Sequence, residues 1–578
     1  MHNTVLVLDG NEFSTLSIVR SLGRQNLTVT VGAEVELTNP ISQYSKHTNN
    51  LYKYPDPLTE ADRFITHITE YLSNNNFDLL IPVTEKTTLI LAQYREQIEQ
   101  YTRLALPDYK TLQLVSNKDQ TFKIAHEEGI PIPQGVIATQ ATDLKDLAQK
   151  LTYPIVIKPS QSVANSNKDT RVKLTVQYAF NSSELIKKSQ DILQHTPVIL
   201  QEYFRGDGVG VEILANHGDI IMAFQHKRLH ELPLTGGGSC LRESVTVNPQ
   251  LLEYATRLIK RLNWHGVAMI EFKYNNTTQQ SCLMEINGRF WGSLPLAISA
   301  GADFPYHLYR MLVHNETNPK PNIKIGKLNR KFKDDLYWYI LVLLRRDNNP
   351  LIIWPNFSQI CRDLIVILSP QHRFDSFDYD DPKPLFADLA LTSQWFIELA
   401  QEFITQRYWQ IKFNRQKKSG MAIKALKATE TILFLCYGNI NRSAAAQKCL
   451  EKHLATNNHP AIESTGFHIV NQRPADPNMV SIAKKQDVDL SNWSSNTVNK
   501  DMIERAGIIY VMEIAHYLRL VSEYPTAKHK TYLLGSVIKD PKQMPLELID
   551  PYGKSPETYE EIFNYINTAT KVIATQNK

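Results

Sequence analysis

Cysteine is scarce in this sequence, and the few residues that occur are far apart. Five cysteines stand at positions 240, 282, 361, 436 and 449 of a chain of 578 residues. No two of them form a CxxC pair, and none has the spacing of a zinc site, which argues against a disulfide-stapled secreted domain and a structural zinc module. This usage is typical of a reducing compartment, so we expect a cytoplasmic protein.

Long apolar runs and an excess of charge are also missing. The longest apolar stretches, 337–344 and 351–368, are too short for a membrane span or interrupted by polar side chains. Residues 1–10 lack the basic and apolar regions of a signal peptide. The formal charge of +4 gives no reason to expect nucleic acid as a partner. We therefore expect no transmembrane segment and, at this length, several globular domains.

Residues 266–293 carry the densest set of polar side chains within strand-like sequence. They read as two apolar strands folded about a polar tip. Such a hairpin places Glu271 opposite Glu285, and Asn287 follows on the same face. Two facing carboxylates repel unless a cation lies between them. Because Mg²⁺ prefers carboxylate, amide and phosphate oxygens, the hairpin predicts a floor for Mg-ATP, with Arg289 beyond it as an anion clamp. An exposed hairpin with two solvated acids is the alternative.

The first hundred residues have the pattern of a small α/β domain that helps to hold substrate. No GxGxxG follows the first strand, so a dinucleotide site is weakly supported. Strands are predicted at 4–8, 27–31, 78–83 and 103–106, and helices at 13–22 and 85–94.

Two lysines and a glycine run are further candidates for binding phosphate. Lys118 lies in a helix predicted at 109–128. Lys158 ends a strand predicted at 153–160, where a lysine is either a solvated gatekeeper or a phosphate ligand. Three glycines at 236–238 let backbone amides approach an anion, although such a run is also typical of a flexible turn.

In their order along the chain, these signals resemble the ATP-grasp superfamily, in the carboxylate–amine ligase branch related to carbamoyl-phosphate synthetase. The resemblance covers about residues 3–315. It depends on six segments that stand in the family's order: 117–119, 157–159, 201–204, 235–244, 270–272 and 284–293.

The resemblance implies an ATP-grasp fold and binding of ATP with Mg²⁺, or with Mn²⁺ as the alternative metal. It assigns Lys118 and Lys158 to the ATP phosphates. It assigns the metal to Glu271, Glu285 and Asn287. The adenine hinge would be formed by Gln201, Glu202, Tyr203 and Phe204.

This sequence departs from the family pattern at two places. Members usually carry a Gly-rich flap after the lysine strand, whereas residues 161–169 contain no glycine. The usual ribose-binding acid falls near Gly208, which leaves Asp207 as a substitute.

The resemblance also implies a reaction. A ligase of this kind phosphorylates a carboxylate with ATP, and an amine then displaces phosphate from the acyl phosphate. Cationic side chains and magnesium stabilise the transferring phosphoryl group. The expected substrates are a small-molecule carboxylate and an amine, with amino acids among the candidates.

Residues 326–427 read as a helical extension followed by a basic linker. The clearest amphipathic helices are predicted at 337–346 and 395–408. The first mixes aromatic residues with cations, which suits a membrane or a partner, but packing against the ligase is favoured. Residues 412–427 carry six positive charges and no acid, which predicts a solvated linker rather than a nucleic-acid arm.

A second candidate centre begins at Cys436, between a strand at 431–435 and a helix at 444–454. Five residues separate Cys436 from Arg442, so the backbone can wrap a phosphate at the helix N-terminus. A thiol in such a setting ionises more readily than usual. Arg442 can grip two phosphoryl oxygens, and Ser443 can donate to the leaving thiolate. An isolated CxxxxxR motif is otherwise typical of a buried structural cysteine.

The segment 430–575 resembles the low-molecular-weight protein tyrosine phosphatases, whose loop has the form Cys-x-Gly-Asn-x-x-Arg-Ser. The resemblance implies a doubly wound parallel sheet and a phosphorylated small molecule or a phosphotyrosine protein as substrate. It makes Cys436 the nucleophile, Asp550 the general acid and Asn439 the residue that holds the loop. Other matching segments lie at 464–466, 474–477, 511–513, 532–535 and 550–553.

Many members of this family carry a second cysteine immediately before the arginine, where this chain has Asn441. The protective local disulfide is therefore absent, and peroxide is expected to over-oxidise Cys436 more readily.

Together these patterns predict a fused α/β enzyme: a carboxylate–amine ligase followed by a phosphatase. The predicted domains are a Rossmann-like domain at 1–107, an ATP-grasp domain at 108–325, a helical extension and linker at 326–427, and a phosphatase domain at 428–578. The alternative is a phosphatase regulated by a catalytically degenerate ATP-grasp domain that senses nucleotide. A phosphatase half that only binds phosphorylated ligands is disfavoured by the presence of both Cys436 and Asp550.

Overall fold

The computed structural model of the chain describes most of its length as two compact units, Met1–Gln394 and Trp395–Lys578. The described residues are 2–160, 163–165, 171–173, 176–193, 196–345, 349–428, 430–454, 459–552, 554 and 556–576. Most of the segment 161–169, which the sequence shows to lack glycine, lies outside them.

The chain opens with a parallel five-stranded sheet in the order β3-β2-β1-β4-β5. Its apolar strands are buried on both faces, as expected for a parallel sheet covered by helices. Asp9, after β1, accepts hydrogen bonds from Val83 N at 3.0 Å and Thr84 N at 2.7 Å, which ties two strand ends together. The strands are β1 (Thr4–Val7), β2 (Thr28–Glu34), β3 (Asn50–Tyr54), β4 (Leu79–Ile81) and β5 (Arg103–Leu104), and the helices are α1 (Phe13–Arg24), α2 (Ala61–Asn74), α3 (Glu85–Gln93) and α4 (Arg95–Ile98).

The single helix predicted at 109–128 is wrong, because the chain forms two helices there. They are α5 (Tyr109–Ser116) and α6 (Lys118–Glu127), separated by Asn117 in an extended conformation. The Asn117 side chain accepts from Asp119 N at 2.9 Å and caps the second helix. Lys118 therefore begins a helix instead of lying inside one.

A small antiparallel sheet in the order β10-β7-β11-β6 follows. It carries Lys158 on β7, and the predicted hinge 201–204 begins within the last two residues of β11. A separate two-stranded ribbon is formed by β8 and β9. The strands are β6 (Gly135–Ala138), β7 (Ile155–Pro159), β8 (Val163–Asn165), β9 (Arg171–Lys173), β10 (Gln177–Ala179) and β11 (Val198–Glu202), with helices α7 (Leu144–Lys150) and α8 (Ser182–Leu193).

The largest sheet has seven strands in the order β16-β15-β12-β13-β14-β17-β18. Its pairs are antiparallel except for β17 with β18, which are parallel. The strands are β12 (Asp207–Asn216), β13 (Asp219–Leu232), β14 (Gly238–Val245), β15 (Gly266–Asn275), β16 (Gln280–Asn287), β17 (Leu328–Arg330) and β18 (His372–Phe374), with helices α9 (Pro249–Arg261), α10 (Leu294–Ser299) and α11 (Phe304–His314).

The predicted hairpin is strands β15 and β16, and Glu271 does lie opposite Glu285. The pairing needs a β-bulge, because Phe272 pairs with Leu283 and Met284 is the extra residue. Leu283 and Ile286 therefore both face the core, while Glu285 is turned to the other face. Without the bulge, alternation would turn Glu285 into the core.

Residues 326–420 are more regular than the sequence suggested. The two short strands β17 and β18 were not predicted, and the predicted linker is helical up to Ser419. Lys417 is buried, and its ammonium donates to Met544 O at 2.6 Å, so part of the basic run is a packed helix face. The helices are α12 (Phe332–Leu344), α13 (Phe357–Ile365), α14 (Lys383–Ser419) and α15 (Met421–Lys424).

The second unit contains a parallel four-stranded sheet in the order β20-β19-β21-β22, as predicted for a doubly wound domain. The buried strand β19 delivers Cys436 at its carboxyl end. The strands are β19 (Thr431–Cys436), β20 (Ala461–Gly466), β21 (Ile508–Val511) and β22 (Thr531–Leu533), and the helices are α16 (Arg442–His453), α17 (Pro477–Lys485), α18 (Lys500–Arg505), α19 (Ile514–Glu523) and α20 (Pro556–Gln576).

Membrane-spanning helices were sought among the described residues. None of the helices found there combines the length and the apolar character needed to cross a bilayer.

Candidate active site

The first unit contains a cavity of about 540 Å³ on the face of the seven-stranded sheet. It gathers side chains from the small sheet, the large sheet and helix α6. The glycine run 236–238 lines it as well. The sequence-predicted residues that line it are Lys118, Lys158, Gln201, Glu202, Tyr203, Phe204, Glu271, Glu285, Asn287 and Arg289.

Strand β12 carries two glycines next to this cavity, Gly208 in its lining and Gly210 beneath His226. A Cβ atom on Gly208 would lie 2.8 Å from Arg228 Cδ, and one on Gly210 would lie 2.4 Å from His226 Cε1. A side chain at either position would clash. The long side chains of Arg228 and His226, on the neighbouring strand β13, lie over the two glycines. Neither Arg228 nor His226 was singled out from the sequence, although the alternation of glycines in Gly-Asp-Gly-Val-Gly was a usable signal.

Glu271 is held by Arg228 through two parallel contacts. Arg228 Nη1 lies 2.8 Å from Glu271 Oε1, and Nη2 lies 2.5 Å from Oε2. Burial raises the pKa of Glu271, Arg228 opposes that rise, and the neighbouring Glu285 adds to it. Part of the positive charge predicted between the two carboxylates is thus an arginine of the chain itself.

Glu285 is held more loosely. Its Oε2 lies 3.9 Å from Lys118 Nζ, and its Oε1 accepts from Asn287 Nδ2 at 3.1 Å. Burial opposes ionisation, but the Lys118 ammonium and the Asn287 amide keep the pKa of Glu285 below its usual value. Glu285 is therefore an ionised carboxylate on the cavity wall.

The donor set of the hairpin fits a hard divalent cation. Glu285 and Asn287 supply oxygens on the cavity wall, and Glu271 offers a third once Arg228 releases it. Asn287 Oδ1 meanwhile accepts from Arg289 Nη2 at 3.2 Å, a contact that a metal would replace. Among the described residues no cluster of three or more His, Cys, Asp and Glu side chains could hold a metal unaided. A metal here would need the Asn287 amide and ligands from a bound phosphate.

Lys158 is almost fully buried at the end of β7. Burial and the nearby Lys118 lower the pKa of Lys158 to about 8. The carboxylates of Glu285 and Glu271 favour its charged form but do not outweigh burial and the Lys118 charge. A buried ammonium in this setting would be stabilised by a bound anion.

Asp207 lies outside this cavity, and its placement as the ribose acid is therefore not supported by the geometry. Side chains alternate along β12, so Asp207 faces away from the surface that Gly208 presents. Its carboxylate pairs with Lys227 Nζ at 2.8 Å and accepts from Asn276 Nδ2 at 2.8 Å. The acid beside Gly208 within the cavity is Glu231.

A buried pair, His226 and Glu212, lies at the inner end of the cavity face. His226 Nδ1 and Glu212 Oε1 form a short hydrogen bond. Burial raises the pKa of Glu212 well above its usual value. Burial, with Arg228 and Arg242 nearby, lowers the pKa of His226 to about 3.

The second unit places the Cys436 loop around its own centre. Cys436 Sγ lies 3.0 Å from Ser443 Oγ and accepts from Asn439 N at 3.2 Å. Asn439 has a positive φ of 52°, and its Nδ2 donates to Ser443 Oγ and to Ser464 Oγ, both at 2.9 Å. The loop is thus curled around the sulfur by the asparagine predicted to hold its shape.

Neighbouring segments hold this loop from behind. A Cβ atom on Gly466 would lie 2.7 Å from Tyr437 O, so the glycine at the end of β20 permits close approach. Trp493 Nε1 donates to Asn439 O at 2.7 Å, and Asp476 N donates to Ile440 O at 3.0 Å. The matching segments 464–466 and 474–477 are therefore supports of the loop.

Arg442 is fully buried and its guanidinium is shared among three acceptors. Nη1 donates to Leu548 O at 2.8 Å and to Glu513, and Nη2 lies 2.7 Å from Asp550 Oδ2. Asp550 is itself nearly half exposed. Glu513 lies in the matching segment 511–513, and its bond to Arg442 is a contact that the sequence did not predict.

A cavity of about 270 Å³ opens above the loop. Two tyrosines, Tyr437 and Tyr552, stand exposed at its walls, and Arg473 donates to Gly438 O at 2.5 Å. The cavity is lined by Cys436, Tyr437, Gly438, Ile440, Asn441, Arg442, His468, Arg473, Asp550 and Tyr552.

Two family models match parts of the chain. One, described as "Low molecular weight phosphotyrosine protein phosphatase", matches residues 431–578. The other, described as "ATP-grasp in the biosynthetic pathway with Ter operon", matches residues 194–330. The predicted phosphatase family is thereby confirmed, and the first half contains a segment that matches an ATP-grasp model.

Known proteins resemble the two halves separately. The probable low molecular weight protein-tyrosine-phosphatase EpsP of Ralstonia nicotianae is 31% identical over 137 residues, which cover 24% of this chain and 88% of EpsP. The carbamoyl phosphate synthase large chain of Acidobacterium capsulatum is 22% identical over 269 residues, which cover 45% of this chain but only 24% of that one. A solved biotin carboxylase from Campylobacter jejuni, in complex with a nucleotide, has a TM-score of 0.46 at 14% identity and covers 56% of this chain and 74% of its own.

Proposed function

The chain belongs to the low molecular weight phosphotyrosine protein phosphatase family through residues 431–578, and from this we propose that it is a bifunctional enzyme. The first half would be an ATP- and magnesium-dependent carboxylate–amine ligase, and the second a cysteine-dependent phosphomonoesterase of the phosphotyrosine type. The observation that carries the proposal is convergence: in the first unit every residue chosen from the sequence except Asp207 lines one cavity, and in the second Cys436, Arg442 and Asp550 line another.

In the ligase half, the nucleotide is proposed to lie along the larger cavity. The segment 201–204 would hold the adenine, and Lys118 with Lys158 the phosphates. Glu285 and Asn287, with Glu271, would hold magnesium, which when bound adds positive charge to the transferring phosphoryl group.

The proposed reaction converts a carboxylate into an acyl phosphate, and an amine then displaces phosphate. The chain's own part is to hold the anions in place. Arg289 lies beyond the hairpin on the cavity wall, where its guanidinium can bind a carboxylate or phosphoryl oxygen pair. Lys158 supplies a buried point charge to the transferring group. The substrates are a small carboxylate and an amine, with amino acids as the first candidates.

In the phosphatase half, Cys436 is the proposed nucleophile. A bond forms between its sulfur and phosphorus while the ester P–O bond breaks, and Asp550 gives a proton to the leaving oxygen. Asp550 then takes a proton from water, which attacks the phosphocysteine and releases phosphate with the thiolate. Ser443, 3.0 Å from the sulfur, would stabilise that thiolate.

The ion pair between Arg442 and Asp550 suggests how substrate prepares the acid. A phosphoryl group entering the loop competes with Asp550 for the Arg442 guanidinium. Asp550 released in this way can take up a proton from solvent and then donate it to the leaving oxygen. The proposal of a bifunctional enzyme also includes domain boundaries at residues 107, 325 and 427.

The proposal is tested by removing each activity alone. The full chain is incubated with Mg-ATP and a mixture of amino acids, ADP release is followed, and the product is identified by its mass. Glu285→Ala should abolish ADP release and leave hydrolysis of an aryl phosphate near wild type. Cys436→Ser should do the reverse, and Asp207→Asn, an acid outside the cavity, should retain both.

Equal loss of both activities in a folded Glu285→Ala protein would contradict two independent centres. Binding of ATP without ADP release or product, under every acceptor mixture, would favour the alternative of a nucleotide-sensing domain. In that case a change in phosphatase rate on adding ATP is the expected sign.

A further inference from the structure

The cavity of the first unit contains buried polar atoms that the proposed function leaves without a partner. Four of its lining residues hold a buried polar atom with no hydrogen bond within the described part of the chain. Gln201 belongs to the proposed adenine hinge, and Arg228 uses its other nitrogens to hold acidic side chains. The remaining two atoms are His226 Nε2 and Trp291 Nε1, in residues that are each 1% exposed. Since buried polar groups are normally hydrogen-bonded, these two nitrogens are available to a ligand.

The sheet register places His226 beside the proposed metal site. Gly210 on β12 lies opposite Glu271 of β15 on one side and opposite His226 of β13 on the other. Residues that lie opposite one another share a face of the sheet, so the histidine and the acid point to the same side with only a glycine between them. Two strand spacings, about 10 Å, separate their backbones. A group bound at His226 would therefore be next to the metal and the phosphates.

The segment that carries Trp291 leads from the same metal position past the histidine. Asn287 ends β16, and Trp291 follows four residues later. Ser293 Oγ lies 3.5 Å from His226 Nδ1, which brings this segment against the imidazole. Both unpartnered nitrogens thus belong to the part of the cavity that adjoins the metal site.

Both nitrogens are hydrogen-bond donors. An indole nitrogen can only donate. In His226 the other ring nitrogen, Nδ1, is taken up by Glu212 Oε1. Burial raises the pKa of Glu212 well above its usual value and lowers the pKa of His226 to about 3, so both groups favour their neutral forms. A neutral Glu212 donates to Nδ1, which leaves the imidazole hydrogen on Nε2.

We propose that His226 and Trp291 bind the carboxyl group that the ligase activates, by donating from Nε2 and Nε1 to its oxygens. The inference rests on the proposed ligase function and names the residues that hold its acyl substrate. A carboxyl group suits this place because its oxygens accept hydrogen bonds and because it must lie next to the transferring phosphoryl group. Glu212 is a positioning residue, since it acts on the substrate only through the imidazole.

The same two donors would also stabilise the second step of the reaction. The amine nitrogen forms a bond to the acyl carbon, and the electron pair of the C=O bond moves onto oxygen. The bond between that carbon and the phosphate oxygen then breaks, and phosphate leaves with the electron pair and takes up the amine proton. Donors aimed at the developing oxyanion lower this barrier, and loss of one such donor costs roughly 10²–10³-fold in rate.

Removal of the indole N–H alone tests the inference. The full chain is incubated with Mg-ATP and a limiting amount of an amino-acid mixture, and the rate of ADP release is measured beside equilibrium ATP binding. Trp291→Phe should slow ADP release by roughly 10²-fold and leave ATP affinity unchanged. Trp264→Phe is the matched control and should leave both unchanged, since Trp264 is equally buried, does not line the cavity and already donates to Val267 O at 3.3 Å.

Two substitutions at Glu212 test the direction of its hydrogen bond. Glu212→Gln presents an amide N–H that can donate to Nδ1 and keep the imidazole hydrogen on Nε2. Glu212→Leu has a similar size but no donor. The glutamine variant should therefore lose much less ADP release than the leucine variant. Thermal unfolding of both variants separates this difference from a loss of folded protein.

The possible outcomes distinguish failure of this carboxyl site from failure of the ligase proposal. Wild-type protein that releases no ADP with any amino-acid mixture would contradict the ligase function and the carboxyl site with it. If wild type is active and Trp291→Phe matches Trp264→Phe, the carboxyl site is overturned while the ligase proposal stands. A parallel loss of ATP affinity in Trp291→Phe would instead assign the indole to nucleotide binding. Equal losses in Glu212→Gln and Glu212→Leu would overturn donation by His226.

Discussion

The two candidate sites are assembled in opposite ways. The phosphatase centre takes its sulfur, loop and arginine from eight consecutive residues, 436–443, and adds one distant acid, Asp550. The larger cavity gathers its polar side chains from strands and helices spread over about two hundred residues, between Lys118 and Asp334. A contiguous site is specified by local backbone shape. A dispersed site depends on strand register and on positions in neighbouring strands that carry no side chain, such as glycines.

This contrast has a physical consequence for the effect of mutations. In the loop, one residue such as Asn439 makes several of the contacts, so a single change removes much of the site. In the cavity, three cations surround two carboxylates, and their charges compensate in part for one another. Four predictions examine whether the two sites behave as differently as they are built.

The largest effect is expected at Cys436. Cys436→Ser should hydrolyse no aryl phosphate yet still bind vanadate, because the loop amides and Arg442 remain in place. Arg442→Ala should lose both activity and vanadate binding. Vanadate affinity is measured by its protection of the wild-type and variant proteins against thermal unfolding.

Cys449→Ala is the matched control, since Cys449 is buried and burial raises the pKa of its thiol to about 12. It should keep full activity and resist alkylation. Vanadate binding that survives Arg442→Ala would show that the loop amides suffice for anion binding. Loss of one residue would then not disable the contiguous site as the comparison of the two sites predicts.

The next effect concerns the one distant residue of the phosphatase centre. Asp550→Asn should slow hydrolysis of phenyl phosphate by roughly 10²–10⁴-fold, because a basic leaving group needs a proton. Hydrolysis of an aryl phosphate with an acidic phenol should fall much less. The ratio of kcat/KM for the two substrates is the measurement, and an equal loss for both would remove Asp550 from the role of acid.

Matched glycine substitutions compare the two architectures directly. Gly466→Ala brings a Cβ atom to 2.7 Å from Tyr437 O, which is backbone of the loop, so phosphatase activity should fall sharply. Gly210→Ala brings a Cβ atom to 2.4 Å from the His226 ring and should destabilise the first unit by roughly 1–3 kcal/mol. Thermal unfolding and both activities are measured for each variant.

Gly292→Ala is the control for the first unit, because nothing lies within 4 Å of the Cβ atom it would carry. If Gly210→Ala proves as mild as this control, His226 can move aside and the packing across strand β12 is not essential.

The smallest effect is expected from pH. Lys158 has a pKa of about 8, so its ammonium is lost as pH rises through that value, and ATP affinity should fall several-fold between pH 7 and pH 9. Lys158→Arg should remove this dependence, because a guanidinium remains charged. Equilibrium ATP binding across pH is the measurement, and a slope that persists in Lys158→Arg would assign the titration to another group.

Stability should respond to the same lysine in the opposite direction. Its ordinary pKa in an unfolded chain is about 10.4, so between about pH 8 and pH 10 the unfolded state binds more protons than the folded one. Burial of the charged lysine is unfavourable below this window, and that cost is relieved as pH rises through it.

The sequence was informative where chemistry and spacing coincide in a short segment. The Cys436 loop, the pairing of Glu271 with Glu285 and the lysines at 118 and 158 could all be anticipated from motif and alternation. The break at Asn117 was missed because an asparagine inside a helical pattern also caps a new helix. Asp207 was chosen by residue type, and the structure turns it to the other face of β12, where it pairs with Lys227.

Other features depend on contacts that no local pattern contains. The bidentate hold of Arg228 on Glu271 joins strands β13 and β15 across the empty positions of Gly208 and Gly210. Lys417 was read as solvated because its neighbours are charged, yet its acceptor, Met544 O, lies more than a hundred residues away. Long-range partners of this kind decide whether a charged residue is surface or core.

Because of the bulge at Met284, the hairpin is expected to tolerate the loss of one residue from strand β16. Deleting Met284 would leave Phe272 against Leu283 and Glu271 against Glu285, since only the unpaired residue disappears. Inserting or removing a residue between 266 and 271, on the opposing strand, would instead change which residue lies opposite Glu285. It would also turn apolar side chains of that strand away from the core. During divergence, the length of strand β16 at this point can therefore vary while the length of β15 is fixed, an asymmetry that alignments of related chains would record as gaps on one side of the tip only.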